Sequence, residues 1–446
     1  MAKRMRFRHG VHPPELKQLT AAIPVRRLPF PDEIVLPLSQ HTGKPAVPIV
    51  RIGDRVERGD KVAEADGFIS SPIHTSAAGT VTAIELWPHP TGGYQDAIRI
   101  AVAPYDAQVP RKRIIPDWRG LDRKQLVDAV RQAGVVGLGG AAFPTHVKLV
   151  PPDDVSIDTI VINGCECEPY LTTDHRTMVE YPGRVHLGIR LMMKTIGADR
   201  VMVGIEKNKP DAIERLRATL PDDLEGHVTI HGLTVKYPQG AEKMLIKALL
   251  GREVPSGRLP MHVGVVVHNV ASVATIAEVF ETGLPLIERI VTVTGPGVRR
   301  PANLIVPVGT KVRDVFDACG GLTETAREIV FGGPMMGAAQ ASLDVPITKG
   351  TTGVIALTGA EVKSQHSYPC IRCGHCLDAC PVFLNPQLLG QLAMHDRYDE
   401  MVENHLMDCM VCGCCGYTCP SNIPLTQLFA LAKNQLKRQP PKPKAA

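Results

Sequence analysis

The spacing of apolar residues changes character along the chain. Through about residue 105 they come in short Val/Ile runs between Gly- and Pro-rich turns. Residues 50–64 alternate apolar with polar, the period of a half-buried strand. From Leu121 to about Leu284 the pattern switches. Residues 123–133 have helical spacing, whereas 159–163, 201–205 and 263–267 are short apolar runs that read as buried strands. Periods alternating between 3.6 and 2 predict a largely parallel sheet covered by helices. Further on, Asn385-Pro386 supplies an N-cap and a first helical residue. Leu388, Leu389 and Leu392, then Met401, Val402 and His405, follow with helical spacing, so the last unit is predicted α-helical. No run of about 18 apolar residues occurs; the best, 263–277, is broken by His268, Asn269 and Ser272.

Length and composition sharpen this picture. A chain of 446 residues predicts about three domains. Its 44% hydrophobic content is ordinary, and aromatics at 4% beside 40 Gly and 38 Pro point to many turns and close backbone approaches. Twelve cysteines in a chain this long are not a secreted disulfide framework. The basic start has no apolar segment after it, so it is not a signal peptide, and a reducing, cytoplasmic location is expected. The formal charge is +5. Basic residues cluster only at 3–8 and in the tail from Lys437, without an aromatic platform, which argues against a nucleic-acid partner.

The strongest chemical signal is Cys370-Ile-Arg-Cys373-Gly-His-Cys376-Leu-Asp-Ala-Cys380-Pro381, repeated as Cys409-Met-Val-Cys412-Gly-Cys-Cys415-Gly-Tyr-Thr-Cys419-Pro420. Both read C-x2-C-x2-C-x3-C-P, in which three close thiolates wrap one [4Fe–4S] cubane and the fourth reaches to the other. The expected sets are Cys370, Cys373, Cys376 and Cys419, and Cys409, Cys412, Cys415 and Cys380. A structural zinc would need only two pairs. Superposing the motifs puts Cys414 opposite His375, at a position that is not a ligand.

Two loops of the α/β region carry further chemistry. In Gly134-Val-Val-Gly137-Leu-Gly139-Gly140-Ala-Ala-Phe143-Pro144-Thr-His-Val-Lys148, glycines admit backbone amides to a phosphate and Lys148 adds a countercharge. A plain turn is the alternative. Asn163-Gly-Cys165-Glu166-Cys167-Glu168-Pro169 directly follows a strand, where two carboxylates and an amide suit ribose hydroxyls, a flavin edge or a nicotinamide. Its alternative is a capped turn. Cys165 and Cys167 read as small buried side chains.

These loops, with Tyr237-Pro-Gln-Gly240-Ala-Glu242, resemble the FMN- and NADH-binding domain of the complex I flavoprotein subunit. His268-Asn269-Val270 resembles the strand end beside that family's flavin. Residues 290–322 resemble its β-grasp (SLBB) module. Residues 50–81 resemble a barrel-sandwich, lipoyl-like module, but the hairpin tip at 65–70 lacks the acceptor lysine, so a structural or docking role is expected. Residues 7–14, Phe-Arg-His-Gly-Val-His-Pro-Pro, and the order of parts are similar to the C-subunit family of Rnf membrane electron-transport complexes.

What the resemblance implies is a multidomain α/β protein. Its parts would be a barrel-sandwich domain (1–110), a Rossmann-like FMN/NADH domain (118–285), an SLBB module (287–345), a two-cluster ferredoxin domain (360–436) and a disordered tail (437–446). Gly137, Gly139, Gly140 and Lys148 would line the FMN phosphate and ribityl side. Asn163, Glu166 and Asn269 would surround the flavin, Phe143 would stack on NADH, and Glu168, Gly240 and Glu242 would lie near the dinucleotide. Leu138 and Cys165 stand where complex I has an arginine and an aspartate, so contacts by those side chains are not implied. The implied activity is electron input. NADH reduces FMN, two [4Fe–4S] clusters relay single electrons, and the other Rnf subunits and a ferredoxin-like iron-sulfur partner take part on the cytoplasmic side of the inner membrane, peripherally. A cobalamin-reductase-like flavoprotein and a non-enzymatic cluster scaffold are the alternatives. The segment 332–337 reads as a structural turn.

Overall fold

The computed structural model describes residues 5–110, 117–152, 154–362 and 366–438. Near the N-terminus two small sheets face one another. One is antiparallel, in the order Glu33–Pro37, Tyr94–Val102, Gly79–Pro88, Arg55–Val56; the other holds Val47–Pro48, Lys61–Glu64 and Ile73–His74. Their inward positions, Ile34, Leu36, Val62, Ile73, Val81, Ile98 and Ile100, form one core. This is the alternation the sequence showed, folded into a sandwich.

The central module is a fully parallel sheet in the order Val228–Leu233, Arg200–Glu206, Thr159–Gly164, Val265–Asn269. The strand read at 263–267 starts two residues later because a 3-10 turn occupies Pro260–Val263. Helices Arg123–Gln132, Pro182–Ile196 and Val270–Thr282 cover one side, burying Leu126, Val185, Ile189 and Val273 against Ile160, Ile162 and Val203. The first begins on a reciprocal cap. Asp122 Oδ1 accepts from Gln125 N at 2.8 Å, and Gln125 Oε1 accepts from Asp122 N at 2.9 Å. Numbered along this module the strands run 3-2-1-4, so the chain reverses direction across the sheet between Thr159–Gly164 and Val265–Asn269. A crevice opens at the carboxyl ends of such a pair.

The third unit is wider than the 287–345 span of its sequence reading. Its six-stranded sheet runs Val25–Arg27, Ala302–Pro307, Glu288–Thr294, Gly353–Thr358, Ala326–Phe331, Ala338–Gln340. It thus takes one edge strand from the N-terminus, paired parallel to Ala302–Pro307, and a middle strand from beyond residue 345. Both pairings join segments distant in sequence, which leaves no local periodic signal.

Buried cations lock the units together. Lys349 Nζ donates to Pro72 O at 2.7 Å and Gly134 O at 2.8 Å, and burial brings its ammonium down to about 7. Arg289 reaches from the six-stranded sheet to Leu138 O at 3.1 Å, inside the glycine loop. The last unit is helical among the described residues: His375–Ala379, Pro386–Met394, Tyr398–Glu403, Cys414–Tyr417 and Leu425–Arg438 surround Leu389, Leu392, Met401 and Phe429. Its final helix runs through Arg438, two residues into the tail expected to be disordered; 439–446 lie outside the described residues. No helix among the described residues is long and apolar enough to cross a membrane.

Candidate functional site

At the reversal point of the parallel sheet, Asn163 and Asn269 stand opposite each other in register at the two strand ends. Each amide is tied down. Asn163 Nδ2 donates to Gly240 O at 2.8 Å. Asn269 Oδ1 accepts from Ala271 N at 2.9 Å and Ser272 N at 3.2 Å, capping Val270–Thr282, while its Nδ2 donates to Asp174 Oδ2 at 2.7 Å. The glycine loop folds over this point. A Cβ on Gly139 would meet the Asn269 side chain at 3.3 Å, whereas one on Gly140 would meet open space. Gly137 N donates to Phe143 O at 2.7 Å and Leu138 N to Ser272 Oγ at 2.7 Å, closing the loop on itself and on the capped helix. The amides of Gly139, Gly140 and Ala141 find no acceptor among the described residues. Lys148 Nζ enters from the short helix Thr145–Lys148 and donates to Glu242 Oε1 at 2.9 Å and Val267 O at 3.1 Å.

Gly137, Gly139, Gly140, Lys148, Asn163, Gly240, Glu242 and Asn269 are therefore gathered round one crevice, with Phe143 half-buried at the end of the loop. Glu166 is turned to the neighbouring helix: its carboxylate accepts from Asp174 N at 2.7 Å and His175 N at 3.2 Å, at the start of Thr173–Glu180. Glu168 points elsewhere as well. Its Oε2 accepts from Met335 N at 3.0 Å, and burial pushes the carboxyl up to about 6. Cys165 is fully buried, and Cys167 Sγ accepts from Gly240 N at 3.2 Å.

Three residues at the crevice have no role in the sequence reading, although His268 and Gln239 stand within motifs quoted there. Burial pushes the Asp174 carboxyl up to about 7, with the Glu166 charge adding to it. His268 is brought down to about 3 by burial and by Lys148, and among the described residues neither its Nε2 nor Gln239 Nε2 has a partner. Both are buried, and their only sequence signal is adjacency to Asn269 and Gly240. An orphaned amide donor and an orphaned imidazole nitrogen beside unpaired loop amides and a lysine fit an anionic, hydrogen-bonding ligand such as a flavin phosphate with its ribityl chain.

The cysteines form two cavities. Cys370, Cys373, Cys376 and Cys419 line one, and Cys380, Cys409, Cys412, Cys414 and Cys415 line the other. Burial holds the Cys376 thiol high, and the charged neighbours that add to this are Cys419, Cys373 and Cys370. Burial pushes Cys415 up to about 12, with Cys409, Cys412 and Cys380 adding. Among the described residues no three His, Cys, Asp or Glu side chains are spaced for a single metal ion. Four thiols wrapping a cavity, rather than meeting at one point, fit a cubane that offers a separate iron to each. Of the five cysteines at the second cavity, Cys414 is the one to which the motif spacing gives no ligand role. It is fully buried between the units, its Sγ 4.0 Å from Tyr237 O. Cys414→Ser should accordingly keep both clusters, read as about eight irons per chain; a fall to about four would make Cys414 a ligand.

The family descriptions that match are the RnfC barrel sandwich hybrid domain at residues 5–103, the Nuo51 FMN-binding domain at 130–278, the SLBB domain at 290–339 and a 4Fe-4S dicluster domain at 369–424. The chain is 45% identical over 400 residues to the C subunit of the proton-translocating ferredoxin:NAD+ oxidoreductase complex of Clostridium ljungdahlii, covering 90% of this chain and 87% of that protein. To the C subunit of the Na+-translocating complex of Acetobacterium woodii it is 41% identical over 402 residues, 90% of each chain. To the C subunit of the ion-translocating oxidoreductase complex of Rhodobacter capsulatus it is 41% identical over 437 residues, 97% of this chain and 83% of that one.

Proposed function

The chain belongs to the C-subunit family of the Rnf-type ion-translocating ferredoxin:NAD+ oxidoreductase complexes, and from that membership we propose that it exchanges electrons between NADH and its membrane-complex partners. FMN, when bound, supplies the step from a two-electron hydride to single electrons. The unpaired amides at Gly139 and Gly140, with Gly137 shaping their loop, take its phosphate and ribityl side, and Lys148 supplies the countercharge. Asn163, Glu166 and Asn269 fix the backbone of the crevice floor through their caps and loop contacts. Phe143, Gly240 and Glu242 border the dinucleotide, and Glu168 stands at the side facing the cysteines.

Cys370, Cys373, Cys376 and Cys419 hold one [4Fe–4S] cluster, and Cys380, Cys409, Cys412 and Cys415 the other. The second set is the one next to the crevice, because Tyr237, three residues before Gly240, donates its hydroxyl to Cys412 O at 2.7 Å. That contact carries the reading: a buried side chain beside the Gly240 loop bonds directly to a residue lining a cluster cavity. The Cys370 set, with Cys373 exposed, is the exit toward a ferredoxin-like iron-sulfur partner and the other Rnf subunits. The family's membrane complex and the lack of a spanning helix among the described residues favour peripheral attachment on the cytoplasmic side.

Anaerobic protein reconstituted with FMN, iron and sulfide should bleach on adding NADH, flavin first and clusters after. Reconstituted protein that NADH leaves oxidised would defeat this reading and leave a cluster scaffold in its place. Lys148→Ala should weaken FMN retention about tenfold, a half-exposed charge-assisted contact contributing roughly 1–2 kcal/mol. Flavin fluorescence released during equilibrium dialysis measures this, and iron content should not change.

A further inference from the structure

Tyr237 is the largest fully buried side chain among the described residues, 2% exposed, yet neither a cap nor a core contact accounts for its hydroxyl. The O–H points out of the parallel-sheet module into the cysteine-bearing unit, where Cys412 O accepts it at 2.7 Å. Glu168 Oε1 lies 3.4 Å from the same oxygen. Everything round this hydroxyl is arranged to keep it there. Tyr237 exchanges two backbone hydrogen bonds with Val11, 2.8 and 2.9 Å long, and Gly10 N donates to Ala379 O at 3.0 Å, so the N-terminal segment is stitched to both sides. Glu168 is held from behind by Met335 N, while Met335 O packs on Gly413, the residue after Cys412. Val11, Tyr237, Ala379 and Cys414 form a closed apolar cluster with Cys167, Met335 and Cys412. The turn at 332–337 is thus part of this seam.

Resting on the electron-relay reading above, we propose that Tyr237 is the positioning residue of the flavin-side cluster: through the Cys412 carbonyl it raises the potential of the cluster held by Cys380, Cys409, Cys412 and Cys415, and so favours electron entry from the crevice. A hydroxyl donating to a carbonyl polarises that peptide group, which makes the next N–H, on Gly413, more positive on the cluster's side. Hydrogen bonds and dipoles of this kind around the thiolates are a main control on iron-sulfur potentials. The step served is a single electron passing from reduced flavin to the cubane, whose core goes from 2+ to 1+. No bond to Tyr237 forms or breaks, and its phenolic proton stays on oxygen. The residues of the Cys370, Cys373, Cys376 and Cys419 set receive no such bond from this hydroxyl, whose contacts are Cys412 and Glu168.

Tyr237→Phe removes the donor and keeps the ring. In a dithionite titration followed by electron paramagnetic resonance, which needs neither flavin nor NADH, the flavin-side cluster should move to a lower midpoint potential while the other stays in place; Cys380→Ser protein assigns the two signals. After rapid mixing with NADH, flavin bleaching should keep its wild-type rate and cluster bleaching should slow, by about two- to tenfold for one neutral hydrogen bond. Selective loss of the flavin-side cluster, with iron at about half, would make Tyr237 a structural support of that cluster and overturn its assignment as a control on the potential. Unchanged potentials, or equal shifts in both clusters, would overturn it. Wild-type clusters that dithionite reduces but NADH does not would instead count against the dehydrogenase reading and leave the Tyr237 effect measurable.

Discussion

Cys380→Ser should remove the cluster of Cys409, Cys412 and Cys415 and spare the cluster built on its own sequence neighbours. Cys380 follows the helix His375–Ala379, which also carries Cys376, yet its thiol lines the other cavity and accepts from Leu384 N at 3.3 Å. A cubane left with three thiolates and a poorly donating serine loses iron, so the content should fall from about eight to about four. In the proposed relay the surviving cluster is the one that the flavin reaches only through the lost one. NADH should then bleach the flavin but not the remaining cluster on the wild-type time scale, whereas dithionite should still reduce it. Loss of the Cys370, Cys373 and Cys376 cluster instead, with the Cys409 motif intact, would assign each fourth cysteine to its own motif.

The second large effect concerns packing beneath the crevice. Helices Pro182–Ile196 and Val270–Thr282 cross where Gly188 leaves no side chain. A Cβ there would lie 2.1 Å from Val273 O and 2.6 Å from Val273 Cγ1. A backbone carbonyl cannot rotate aside as a side chain does, so Gly188→Ala must push the helices apart. Overpacking of this sort costs about 1–3 kcal/mol, a loss of roughly 2–12 °C in the melting temperature of a module this size. The second helix begins on Asn269, so the displacement also reaches the crevice, and FMN release should rise alongside the fall in stability. Calorimetry of the wild-type and variant holoproteins decides; an unchanged Tm would mean that the crossing is looser than its geometry.

These contrasts show what kinds of structure the sequence carries openly. The cysteine motifs are local, with ligand types spaced a few residues apart, and they could be read without any fold. The parallel strands at 159–163 and 201–205 were legible because buried strands are short apolar runs. The edge strand Val228–Leu233 was not, since His231 and Gly232 interrupt its apolar pattern. Asn163 and Asn269 could be placed at strand ends from sequence, but the bonds that hold them, to Gly240 O and to the first amides of the following helix, depend on backbone geometry that residue type does not specify. Tyr237, Glu168 and Met335 meet through contacts 69 and 167 residues apart in sequence. No periodicity records a meeting of that kind.

The parallel strand Val25–Arg27 has a consequence for how the protein is made. Its partner Ala302–Pro307 leaves the ribosome more than 270 residues later, the register pairing Val25 with Asn303. At ordinary bacterial elongation rates that delay is roughly 15–55 s. Throughout that interval the strand's amides and carbonyls are unpaired, and the six-stranded sheet lacks its edge. Closure therefore waits for translation to pass residue 307, and the N-terminal stretch through Val11 and Tyr237 settles against the cysteine-bearing unit only after that unit, too, has emerged. A stalled or truncated chain leaves that edge open, a ready target for a neighbouring nascent chain.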